Sequence, residues 1–146
     1  MIPAPIQISV GDAPEIESYL ARRIYEFNAE ATGYSDGEHF WARQRDDSGV
    51  IHAGVFGYTW GGCCYITYLW VDASDRGHGY GTALLEAVEN HAKAKDCAVI
   101  IVATHSFQAP QFYRHRGYRR KAYVPNHPVG HASMVFAKRL RDDATT

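Results

Sequence analysis

Apolar and polar positions change period several times along this 146-residue chain, and each change marks an element. Ile6 to Val10 reads as an opening strand. Asp12, with Glu15 three residues on, makes a capping box for a helix that places Ile16, Leu20, Ile24 and Phe27 on one face and runs to about Asn28. Residues 29–37 carry no period and read as a loop, a common place for substrate contacts. Three strands follow, near 39–45, 50–60 and 63–71, separated by the turn signals Asp46-Asp47-Ser48-Gly49 and Gly61-Gly62. The pattern then becomes helical: Leu84, Leu85, Val88 and Ala92 share one face, with Glu89 and Lys93 spaced to pair on the other. Cys97 to Ala103 is a continuous apolar run rich in β-branched residues, the mark of a strand covered on both faces. A short helix from about 109 to 116 ends at Gly117, and strands near 118–123 and 132–138 close the pattern. The order β-α-β-β-β-α-β-α-β-β predicts an α+β domain whose mixed sheet is antiparallel first and parallel in its middle.

Composition narrows the class. Apolar residues at 46%, charged residues at 21% and a net charge of −1 describe an ordinary globular chain and argue against a dedicated nucleic-acid binder. The length suits one domain over 1–146, with a core from about 6 to 140 and a frayed tail at 141–146. Cys63, Cys64 and Cys97 offer neither a disulfide framework nor zinc spacing, so reduced thiols and a cytoplasmic setting are expected. Met1 to Pro5 does not begin a signal peptide, and no apolar run is long enough to span a bilayer, so no membrane partner is expected.

The chemistry concentrates at Arg76-Gly77-His78-Gly79-Tyr80-Gly81-Thr82, between a strand and a helix. Glycines at alternate positions let a ligand approach the backbone, and the N–H groups there sit at a helix N-terminus. That pattern suits a phosphate, and Arg76 adds a charge suited to a diphosphate. The spacing completes neither G-x-G-x-x-G nor a P-loop.

Downstream, Ser106-Phe107-Gln108-Ala109-Pro110-Gln111-Phe112-Tyr113 runs on to Gly117-Tyr118. On these residues the chain resembles the GNAT superfamily of N-acetyltransferases. The family's acetyl-CoA motif, Arg/Gln-x-x-Gly-x-Gly/Ala, is matched by Arg76, Gly79 and Gly81. Its second signature is matched by Ala109, Phe112-Tyr113 and Gly117-Tyr118. The resemblance spans Ile6 to Leu140 and is strongest over 66–118. It implies a mixed α/β fold with a central sheet flanked by helices, acetyl-CoA as co-substrate, and transfer of its acetyl group to a primary amine in a ternary complex. The implied cofactor residues are Leu69, Trp70 and Val71 on the strand, Arg76, Gly77, His78, Gly79, Tyr80, Gly81 and Thr82 in the loop, and Ser106, where many relatives carry Asn. Tyr113 would protonate the departing thiolate, a role that suits a phenol with an ordinary pKa near 10. Relatives are often dimers, so a homodimer is a further implication.

The general base is less legible, because the strand 63–71 contains no carboxylate. Regular alternation would put Tyr65 and Thr67 on the face of Leu69, where they could hold a proton-relaying water; Glu38 and His105 are the other candidates. Tyr58, Trp60, Tyr65, Tyr68 and Trp70 fit the alternating faces of strands, with one or two of them lining an acceptor cleft, and Phe112 fits the core. His131, in a loop shaped by Pro125, Pro128 and Gly130, is a candidate substrate residue. His127 and His131 lack ligand-spaced partners, so no metal is expected. The basic cluster Arg114, Arg116, Arg119, Arg120 and Lys121 suits a solvated surface, then the cofactor's outer phosphate, then RNA. Against a small-molecule amine acceptor stand two alternatives: a non-catalytic acyl-CoA sensor, and an acetyltransferase directed at RNA or protein.

Overall fold

The computed structural model describes residues 1–141, which fall into two compact units divided after Tyr34. In the first, residues 1–13 form neither helix nor strand, so Ile6–Val10 does not pair as the strand its pattern predicts. An apolar alternation becomes a strand only when a neighbour takes its backbone hydrogen bonds. Helix α1 spans Pro14–Thr32. The expected capping box is absent: Ala13 is the N-cap, no side chain caps it, and Pro14 opens the first turn, where its missing N–H costs nothing. The helix also outruns its expected end, stopping only at Gly33, whose N–H bonds the Ala29 carbonyl. Ile16, Leu20, Ile24 and Phe27 are exposed, between 55% and 70%.

The second unit holds one six-stranded sheet in the order β1-β2-β3-β4-β6-β5. Its strands are β1 (Glu38–Arg45), β2 (Ile51–Trp60), β3 (Cys63–Val71), β4 (Val99–His105), β5 (Arg119–Pro125) and β6 (Ala132–Arg139). A 3-10 turn at Ala73–Asp75 leads to helix α2 (Tyr80–Ala94), and α3 (Pro110–Arg114) follows β4. Among the described residues only β3 and β4 pair in parallel, joined through α2; the other pairs are antiparallel. The hairpin turn after β1 is fixed by the Asp46 carboxylate, which accepts from Ser48 N–H and Val50 N–H at 2.9 Å each.

The predicted stripe of α2 is the buried one: Leu84, Leu85, Val88 and Ala92 face Ala53, Val55, Cys64, Ile66, Ile100, Val102 and Phe136 in one core. Completely buried side chains such as Leu85, Ile100 and Phe136 each stabilise the fold by about 1.5–3 kcal/mol. The expected Glu89–Lys93 pairing gives way to a longer-range one. Glu89 bonds Lys138 Nζ at 2.7 Å and accepts from the Tyr118 hydroxyl at 3.3 Å, tying α2 to β6 and to the start of β5. The run predicted to be buried on both faces is covered on one: Ile100, Val102 and Thr104 are buried while Ala103 is exposed. At the C-terminal end, Arg141, expected to fray, bonds the Asp96 carboxylate at 3.1 Å; residues 142–146 lie outside the described range.

Two irregularities open the sheet. The parallel pairing of β3 with β4 stops at Ile66–Val102, although both strands continue, to Val71 and His105. Opposite that point, the β2–β3 register shifts: Phe56 faces Tyr68 and Gly57 faces Ile66, leaving Thr67 as an extra residue.

Candidate active site

The bulge at Thr67 reverses the alternation of β3. Cys64 and Ile66 face the core before it, and Leu69 and Val71 pack on the same core after it. Tyr65 therefore does not share a face with Leu69, as regular alternation predicts; it stacks on Tyr58 at 5.4 Å on the other side of the sheet. Gly57 makes room for this geometry. A Cβ there would lie 2.2 Å from the Tyr65 carbonyl oxygen and 2.6 Å from the Phe40 ring. A glycine inside a strand pattern is the available sequence signal for such a close approach.

The diverging ends of β3 and β4 frame a cleft of about 910 Å³. Thr67 to Val71 line it from β3, Arg76 to Thr82 (His78 excepted) from the loop and α2, and Thr104 to Tyr113 in part from β4 and α3. Helix α2 is capped by Gly79 at φ 87, preceded by Gly77 at φ 81, a left-handed backbone that leaves first-turn N–H groups without side-chain acceptors. Arg76 donates through Nε to the Val71 carbonyl at 3.2 Å, clamping the loop to the end of β3. Beneath the loop, His52 Nδ1 lies 3.4 Å from the Asp75 carboxylate and its ring meets Tyr80 edge-on at 4.8 Å. Neither contact has a short-range sequence signature, because β2 and the loop are far apart in the chain.

Tyr113 is 4% exposed, wedged between Phe112, Tyr118 and Phe136, and still borders the cleft. Burial pushes its phenol up to about 12, so it carries its proton throughout the neutral range. Burial likewise pushes the Cys64 thiol up to about 12 and raises Cys63 and Cys97, which keeps all three thiols protonated and poorly nucleophilic.

Other expected residues are placed differently. The Ser106 hydroxyl accepts the Ala132 N–H at 3.1 Å, tying the end of β4 to β6, and does not line the cleft. His78 turns to the Asp75 carbonyl at 3.2 Å. His131 packs edge-on against Phe107 at 5.0 Å, beside the cleft rather than in it. Glu38 is paired with Lys95 at 3.0 Å at the start of β1. His105 ends β4 stacked on the cleft residue Phe107, with Nδ1 2.9 Å from the His127 carbonyl. A carbonyl only accepts, so Nδ1 carries the hydrogen of that bond, and the His105 ring lies beside the cleft rather than in it. Of the basic cluster, Arg116 alone lines the cleft.

Comparison with known proteins bears on this arrangement directly. Residues 7–118 match the profile of the acetyltransferase (GNAT) family. The chain belongs to that family. It is 36% identical over 95 residues to blasticidin-S acetyltransferase of Streptomyces morookaense, covering 64% of this chain and 70% of that protein. Among solved structures, an acetyltransferase from Bacillus cereus superposes with a TM-score of 0.77 at 35% identity, covering 92% of this chain and 98% of that one. The Escherichia coli ribosomal-protein-S18-alanine N-acetyltransferase shares the fold at 14% identity, with a TM-score of 0.63 over 74% of this chain and 75% of that one. As a GNAT enzyme, the protein is an acyltransferase that takes acetyl-CoA as co-substrate.

Proposed function

We propose that this GNAT enzyme moves an acetyl group from acetyl-CoA to a primary amine on a small molecule, directly within a ternary complex, with Tyr113 as general acid. The observation that carries this reading is the single cleft that joins the diverging β3 edge, the glycine loop and Tyr113. The N–H groups at residues 77–82 suit the diphosphate, and the inner edge of β3 at Leu69 and Val71, which no strand pairs, suits the pantetheine arm. The amine nitrogen attacks the thioester carbon, the carbon–sulfur bond breaks, and the Tyr113 hydroxyl gives its proton to sulfur. The suppressed acidity of the three thiols supports this route over an acyl-cysteine intermediate.

An alkylamine must also lose a proton, since its ordinary pKa is near 10. Tyr65 is turned away from the cleft and Glu38 is paired at the far end of β1, which leaves Thr67 in the cleft to hold a water and His105, stacked on the cleft residue Phe107, to take the proton through it. We assign the base to His105. The likeness to blasticidin-S acetyltransferase favours a small antibiotic-type amine over a macromolecule. The test is thiol release from acetyl-CoA with blasticidin S and a panel of small amines, set beside a basic peptide. Turnover of small amines, insensitive to salt, supports the reading; turnover of the peptide alone overturns it.

A further inference from the structure

Arg116 follows α3 and turns into the cleft, away from the other basic residues of 114–121. Its Nη1 donates to the Phe112 carbonyl at 3.3 Å, Nη2 donates to the Thr82 hydroxyl, and the guanidinium lies over the Phe112 ring, 4.2 Å from its centroid. The Nε is buried and meets no acceptor among the described residues. These partners are all neutral, and the ion pairs of the described residues are made by other cations. A guanidinium stays charged at any working pH, and a half-buried charge without a counter-charge is costly. Thr82 is the third residue of α2, whose first turn holds no acidic side chain. A fixed cation therefore stands against the positive end of a helix, and the two together favour an anion beside them in the cleft.

Building on the acetyl-CoA reading of the cleft, we infer that Arg116 is a phosphate-binding residue which supplies the counter-charge for the cofactor's diphosphate. Arg76 lines the same cleft with its Nε held by the Val71 carbonyl.

The test is calorimetric titration of wild-type, Arg116→Met and Arg116→Lys proteins with coenzyme A and with dephospho-coenzyme A, which lacks the outer phosphate. Turnover of S-acetylpantetheine, a donor without any phosphate, is measured beside it. Arg116→Met is expected to raise Kd for both nucleotides by the same factor, about ten- to a hundredfold, while pantetheine-supported turnover changes little. Arg116→Lys, which keeps the charge, is expected to recover most of the affinity. Unchanged affinities overturn the inference. So does a loss confined to coenzyme A, which would place the charge at the outer phosphate, or an equal loss with S-acetylpantetheine, which would make Arg116 a structural tie between α2 and α3. Absence of binding by the wild-type protein would instead bring down the cofactor reading itself.

Discussion

In the proposed mechanism Tyr113 and His105 occupy opposite sides of one proton balance. Burial keeps the phenol protonated and thus able to donate at neutral pH, while the bond to the His127 carbonyl holds the imidazole in place at the end of β4. Tyr113→Phe is expected to lower kcat by about 10²–10⁴-fold with the KM for acetyl-CoA little changed, as steady-state kinetics will show. His105→Gln is expected to lower kcat near pH 7 and to regain much of the loss near pH 10, where the amine is already neutral. A pH–rate profile parallel to that of the wild type would remove His105 from the mechanism. Tyr113 stands out in the sequence through the resemblance to the GNAT superfamily, whose second signature Ala109, Phe112-Tyr113 and Gly117-Tyr118 match. Arg116 was legible only as one of five clustered cations, since which of them turns inward depends on how α3 packs against α2.

At the level of elements, periodicity located β1, β2 and β3 to within a residue or two and found the buried stripe of α2. It missed the bulge at Thr67, which depends on pairing between strands rather than on the order of residues along one of them. The same limit explains Ile6–Val10, where alternation without a pairing partner gives no strand. Gly57→Ala is expected to destabilise the fold by about 1–3 kcal/mol, because the new methyl group must displace the Tyr65 carbonyl or the Phe40 ring. Denaturant melts will read that loss, and a raised KM for acetyl-CoA will accompany it if displacing β3 distorts the cleft. A neutral substitution would mean that the two strands separate without cost.

Over the whole molecule, the core combines apolar side chains with two buried phenols. Tyr118 is raised by burial first and then by the adjacent Glu89 carboxylate, and Tyr113 is pushed up to about 12 by burial alone. Both bind their protons more tightly in the folded chain than in the unfolded one, where tyrosine titrates near 10. Their contribution is complete below pH 10 and is lost as pH rises towards 12, at roughly 1.4 kcal/mol per unit for each phenol. Denaturation midpoints measured between pH 8 and 11.5 should fall steeply above 10, and Tyr113→Phe should flatten the slope. No helix among the described residues is long and apolar enough to cross a membrane.

Where β3 and β4 part, the inner edge of β3 around Leu69 runs on without a strand beside it. An extended guest bearing amides of its own can dock there as a surrogate rung. Deuterium uptake at residues 67–71 should accordingly slow once such a guest is seated, while the hairpin at 61–62 continues to exchange at its former rate.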